Sequence, residues 1–262
     1  MPEAAPDSGN ARRSAGRRLC RALEGLLAFH VLWHVFSLIL GLDILPLPHE
    51  VYLAFPRALE QGIGRHLGAS LGRVAAGTAI SLSLALLLGI PLGCKRSLSR
   101  VLSPLVYLCY PVPKLALLPL VMVLAGIGES AKITVLILIL FFPLLLSVRD
   151  AVRAVPEEEC AVLVSLNGRF RDKLRHIILP ACLPAVLSSL RVSVGIAFSA
   201  LFVTETFGTD TGLGLYVNDC WMRLDYIQMY FGIALLAFVG VGLFALIDLS
   251  ERVFCRWRKP GD

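Results

Sequence analysis

The 262-residue sequence predicts an all-α, polytopic membrane protein with six transmembrane helices. Three observations predict it. Apolar residues make up 56% of the chain and charged ones 17%, against roughly 45–50% and 25% in soluble domains, and the mean hydropathy is +0.75. Six stretches reach the roughly 20 apolar residues a helix needs to cross a bilayer: 23–42, 68–93, 101–125, 131–148, 180–205 and 228–249. Lys and Arg gather on one side of these stretches by eighteen to four, which sets the orientation and puts both termini in the cytoplasm. The composition excludes a disordered chain and a coiled coil, and the pI near 9.1 reflects topology rather than nucleic-acid binding. Helices are expected because lipid leaves every backbone group to be satisfied within its own segment, and the short alternating segments of a barrel are missing.

Residues 1–18, polar and small, are expected to form a disordered cytoplasmic lead, followed by a membrane domain over 19–257 and a cytoplasmic tail over 258–262. The first apolar stretch is long and lacks a prompt small-x-small cleavage site, so it reads as an uncleaved span. His30 and His34 stand at i, i+4 on it, but two ligands make a poor metal site, and packing beside Trp33 is the better reading. In the second span Gly89 and Gly93 are spaced for close helix packing, a weak signal in a Gly-rich membrane chain. In the third, Tyr110-Pro111-Val112-Pro113 breaks the helix and frees backbone carbonyls, which is tolerated where the backbone lines a cavity. Lys114 follows at once. At that depth it either attracts an anionic solute or forms an internal ion pair, with Glu205 of the fifth span as the candidate partner. Thr204, Glu205 and Thr206 are candidates for an outer vestibule, while Arg191 pairs internally or snorkels.

The link 149–179 is the longest on the basic side. Pro156 followed by Glu157, Glu158 and Glu159 is a good helix start, CAVLVSL gives about three apolar turns, and Asn167-Gly168 supplies a stop. Such a short helix suits either a groove on a cytoplasmic partner or the lipid surface. The segment 206–227 reads as a turn-rich re-entrant or surface loop where a binding protein docks. Its Asp210, Asp219 and Asp225 lack EF-hand spacing. Seven scattered Cys without a CxxC pair read as buried thiols. The chain holds no GxxxxGK[ST] phosphate loop, no HExxH and no paired catalytic carboxylates, so it is expected to carry neither an ATP site nor hydrolase chemistry, and no metal or cofactor.

The stretch PEEECAVLVSLNGRFRDKLRHIILPACLP (156–184) resembles the cytoplasmic EAA loop of permease subunits of binding-protein-dependent ABC importers. ILPLPHEVYLAF (44–55), HLGASLGRVAAGTAISLSLALLLGIPLG (66–93), YPVPKLALLPLVMVLAGIGESAKI (110–133), TETFGTDTGLGLYV (204–217) and ERVFCRW (251–257) resemble the branch serving nitrate, sulfonates and taurine. The resemblance implies the MetI-like architecture of type I importers in a bacterial inner membrane. It implies a homodimeric pair of permeases, a cytoplasmic ABC ATPase dimer that holds the ATP and Mg, and a periplasmic or extracellular solute-binding protein. The solute implied is a small anion such as a sulfonate, taurine or nitrate; a vitamin precursor or other heterocycle is the alternative within the family. A self-contained secondary transporter or channel is the rival from another class, and would work without an ATPase. Coupling to the ATPase falls by this resemblance on Glu158, Glu159, Ala161, Leu166, Asn167, Gly168, Leu179 and Pro180, and the translocation pathway on Tyr110, Pro111, Pro113, Lys114, Thr204 and Glu205. The loop departs from the family pattern in two places: Asn167 stands where Gly is usual, and Ala161 where Glu is usual.

Overall fold

The computed structural model describes residues 8–41, 44–165 and 168–255, with side chains from Glu24 onward apart from those of residues 157, 160, 162 and 164. Residues 1–7 of the expected lead, Leu166, Asn167 and the tail 258–262 lie outside the described residues. The described chain is helical: α1 (Ser8–Leu40), α2 (Pro48–Leu53), α3 (Phe55–Glu60), α4 (Ile63–Cys94), α5 (Arg96–Cys109), α6 (Leu118–Ala125), α7 (Glu129–Arg153), α8 (Glu157–Ser165), α9 (Phe170–Lys173), α10 (Leu179–Glu205), α11 (Leu213–Met222) and α12 (Tyr226–Phe254). A 3₁₀ turn over Lys114–Leu117 precedes α6, and a π turn over Leu174–Ile178 joins α9 to α10.

Among the described residues, four helical runs are long and apolar enough to cross a membrane: α4, α7, Phe170–Glu205 and α12. The third expected span is not a straight rod. It is α5 and the Lys114–Ala125 segment, bent by 80° at the break, because Pro111 and Pro113 cannot donate to a helical ladder. The first is also modified. The apolar part of α1, Glu24–Leu40, is a shorter helix than the other spans, and the backbone is already helical from Ser8 where an unstructured lead is expected. The Ala- and Arg-rich run ARRSAGRRLCRAL holds strong helix formers and no proline.

The helices α4 and α7 form the centre. They run parallel in one register. A Cβ on Gly77 would lie 2.9 Å from Leu136 Cβ and one on Gly89 2.7 Å from Val148 Cγ1, while one on Gly93 would overlap Val152. With Ser81 and Ala85 between them, both fully buried, these residues make a strip of small side chains every fourth position. The strip lets the two backbones close up. The glycine spacing noted in the sequence is therefore the central interface of the fold. Leu140, Leu144 and Leu145 of α7 fill the core with Val186, Ala197 and Leu201 of α10. The apolar stretch of α7 is 44% buried and that of α12 only 6%, so α12 lies on the outside of the bundle.

At the end opposite the basic links, α2, α3 and α11 pack on α12 through Val51, Ala58, Leu213, Tyr216 and Phe231. Half of the segment expected as a loop over 206–227 is thus the buried helix α11. Its Asp residues do not converge: Asp225 caps α12 by accepting from the Gln228 N–H at 3.3 Å and pairs with Arg57 at 3.0 Å.

Candidate functional site

Three regions carry the residues singled out from the sequence, and they lie at the basic end, at the break and at the opposite end of the bundle.

At the basic end, α8 leaves the end of α7 and packs on α9. Glu158, Glu159 and Ala161 are exposed and Leu163 is half-buried. The helix closes by a hydrogen bond from the Gly168 N–H to the Leu163 carbonyl, 2.9 Å, the six-residue closure of a Schellman turn. Gly168 is required there, since a Cβ would lie 2.6 Å from Leu163 Cγ and 2.9 Å from its carbonyl oxygen. The Asn-Gly departure from the family spacing thus still yields a tight stop, carried by Gly168. Leu179, exposed, and Pro180, half-buried, open α10 directly after the π turn. Pro180 has no N–H to give to the preceding turn, which fits the wider winding there.

At the break, Tyr110, Pro111 and Pro113 are exposed. Lys114 turns back on its own segment. Its ammonium donates to the Cys109 carbonyl at 3.0 Å and to the Tyr110 carbonyl, and stands 5.0 Å from the Phe142 ring centre. It takes up the carbonyls that the end of α5 leaves unpaired. Lys114 and Glu205, proposed partners in the sequence, do not meet.

Glu205 is instead the centre of a buried clasp at the far end. Its side chain is 0% exposed and that of Arg73 1%, and the two are ion-paired. Arg73 also donates to both oxygens of Glu129, its Nε lying 2.6 Å from Oε2, and to the Thr211 carbonyl at 2.7 Å. Glu205 accepts in addition from Ser70 Oγ at 2.8 Å and from the Gly214 N–H at 2.8 Å. Lys132 donates to the Gly208 carbonyl at 2.8 Å. The run TGLG makes this possible. A Cβ on Gly212, whose φ is +146°, would overlap the Glu205 carboxyl, and one on Gly214 would meet the Phe202 carbonyl at 2.8 Å. Thr204 is fully buried and bonds to the Leu201 carbonyl at 3.1 Å. Neither Thr204 nor Glu205 faces an open cavity in this conformation. Ser70, Arg73 and Glu129 are the members that sequence reasoning missed. The available signal was a lone Arg inside a span, which needs an acidic partner.

The remaining polar candidates have local partners. Arg191 pairs with Asp248 and, at 3.3 Å, with Glu251 on α12. His30 bonds to the Tyr52 hydroxyl and lies 2.9 Å from the Leu26 carbonyl, while Trp33 donates to the Pro46 carbonyl at 3.1 Å.

The bundle thus combines a broken span, a helix with exposed carboxylates at the basic end and a clasped opposite end. The chain belongs to the family of binding-protein-dependent transport system inner membrane components, whose model matches residues 81–259. It is 30% identical to SsuC of Bacillus subtilis strain 168, named for aliphatic sulfonates transport, over 95% of this chain and 92% of that protein. It is 33% identical to the taurine transport system permease protein TauC of Escherichia coli K12, over 61% of this chain and 57% of that one. Among solved structures, the inward-facing MetNI methionine ABC transporter aligns with a TM-score of 0.56 and 20% identity, over 72% of this chain and 94% of that chain. That likeness is one of fold.

Proposed function

We propose that this chain is one of two identical permease subunits of an ABC importer for a small organic anion of the sulfonate class. A solute-binding protein delivers the anion at the clasped end, and an ATPase pair drives the cycle from the basic end. By the excess of Lys and Arg on one side, both termini and α8 lie in the cytoplasm. The observation that carries the reading is α8: a nine-residue helix held off the bundle with two carboxylates exposed, at the basic end of a chain that has no phosphate loop of its own. A helix in that position is a lever for another protein. Nucleotide-driven closure of the ATPase pair moves α8, and the bundle passes between inward- and outward-facing states.

Sulfonate cargo is supported by the relationship to SsuC and TauC, since taurine is itself a sulfonate. The exposed Tyr110–Pro113 backbone supports a second copy. Irregular backbone at membrane depth must face protein or a water-filled path rather than lipid, and a dimer supplies both.

Charge reversal tests the lever. Glu158→Lys with Glu159→Lys is expected to abolish uptake and release the ATPase from solute control, with membrane insertion unchanged. Uptake and ATPase activity at wild-type levels in that variant would remove α8 from coupling. Purification of the native complex without an ATPase subunit would remove the importer assignment as a whole.

A further inference from the structure

The basic end holds a cavity of about 880 Å³ between the ends of α4 and α7, one face of α5, and α9, within the range of about 300–1,000 Å³ typical of ligand pockets. Arg96, Arg100, Arg153 and Lys173 line it, and no carboxylate stands among its described lining residues. Of the acids on these elements, Asp150 is held by Arg149 at 2.7 Å, and Asp172 accepts from the Arg169 N–H at 2.8 Å.

The sequence of α5 builds this face. Arg96, Arg100, Ser103 and Tyr107 recur at steps of four, three and four, so they share one side of the helix. On the other side Leu98, Leu102 and Val106 pack against the core. Arg149, 4% exposed, donates to the Tyr107 hydroxyl at 2.9 Å and to Ser103 Oγ at 3.4 Å, and Arg153 donates to Ser99. A hydroxyl that accepts from a guanidinium still has its own hydrogen to donate. Tyr107 therefore offers a donor beside the cations.

We propose that this cavity is an oxyanion-binding vestibule. It takes a sulfonate, sulfate or phosphate group through Arg100, Arg153 and Lys173, with the Tyr107 hydroxyl as the orienting donor. Guanidinium groups match the paired oxygens of such anions. The proposal rests on the proposed function only in identifying the oxyanion with the cargo on its way out of the bundle. The same chemistry belongs to the phosphate of an anionic lipid headgroup.

Two measurements on the intact permease–ATPase complex without nucleotide or binding protein test it. In phosphatidylcholine nanodiscs, equilibrium dialysis with radiolabelled ethanesulfonate at low ionic strength is expected to show binding that falls about tenfold or more in Arg100→Gln/Lys173→Gln and falls less in Arg100→Lys, which keeps the charge but loses the paired donors. In discs containing phosphatidylglycerol, native mass spectrometry reads retained lipid. Retention by wild type and loss in the double variant, without ethanesulfonate binding, assigns the oxyanion to the headgroup. Arg100 is exposed, so Arg100→Gln alone serves if the double variant unfolds. Wild type and variants that behave alike in both measurements, or a wild type that holds neither probe, overturn the vestibule. A solute-binding protein found to carry a neutral cargo would instead overturn the sulfonate assignment and leave the vestibule result standing.

Discussion

Arg73 and Glu205 show how a single pair settles the role of a charged residue within a membrane bundle. Both side chains are almost wholly buried and both have every charge answered. Removing Arg73 leaves Glu205 buried without its cation, which is destabilising by about 3–5 kcal/mol, while removing Glu205 leaves Arg73 only the partly exposed Glu129. Glu205→Ala and Arg73→Met are therefore each expected to lower the thermal stability of the detergent-solubilised permease strongly. The double variant should lose clearly less than the sum, because the two act as one unit. Melting followed by size-exclusion recovery checks this, and additive losses would show that the pair is not coupled. Thr204→Val, which removes a single bond to the Leu201 carbonyl, is expected to shift stability by only about 1 kcal/mol. The sequence made Glu205 visible as a charge in a span, and also Lys114, but not the pairing. Spacing along a chain does not reveal that α4 brings Arg73 next to the end of α10, 132 residues away, or that Lys114 folds back onto carbonyls four and five residues before it.

Elements were more legible than contacts. The long apolar runs, the break at Tyr110–Pro113 and the helix after Pro156 all follow from local chemistry that a sequence displays. What it displayed poorly was α11, whose Gly- and Asp-rich flanks resemble loop composition although Leu213, Tyr216 and Val217 are buried. It also displayed poorly the weight of the α4 small-residue strip, because many membrane helices carry such spacing without using it. The structure makes that strip testable. Gly93→Val forces side-chain atoms onto Val152 and is expected to destabilise the bundle by about 1–3 kcal/mol. Val152→Ala in the same chain should recover part of the loss, and no recovery would place the damage elsewhere. The turn after α8 gives a sharper expectation for activity than for stability. Gly168→Ala displaces Leu163 and the end of the lever, so uptake should fall while the melting temperature stays near wild type. Vesicle uptake against ATPase rate reads the difference.

On the scale of the whole molecule, the cations and the protruding helix occupy one end, the clasp and the small outer helices the other, and the parallel α4–α7 pair spans the distance. The 25 residues of α7 make a rod of about 37 Å. Glu129 and Lys132 at its start belong to the clasp, and Val152 and Arg153 at its finish stand beside the vestibule and the root of α8. Close contact from Gly77 to Gly93 leaves this double rod little room to flex. If α8 is the lever proposed above, a shove delivered at its foot reaches the far rim as a tilt of the entire strut, so that opening the mouth at the clasp and emptying the proposed chamber below become two readings of a single rotation.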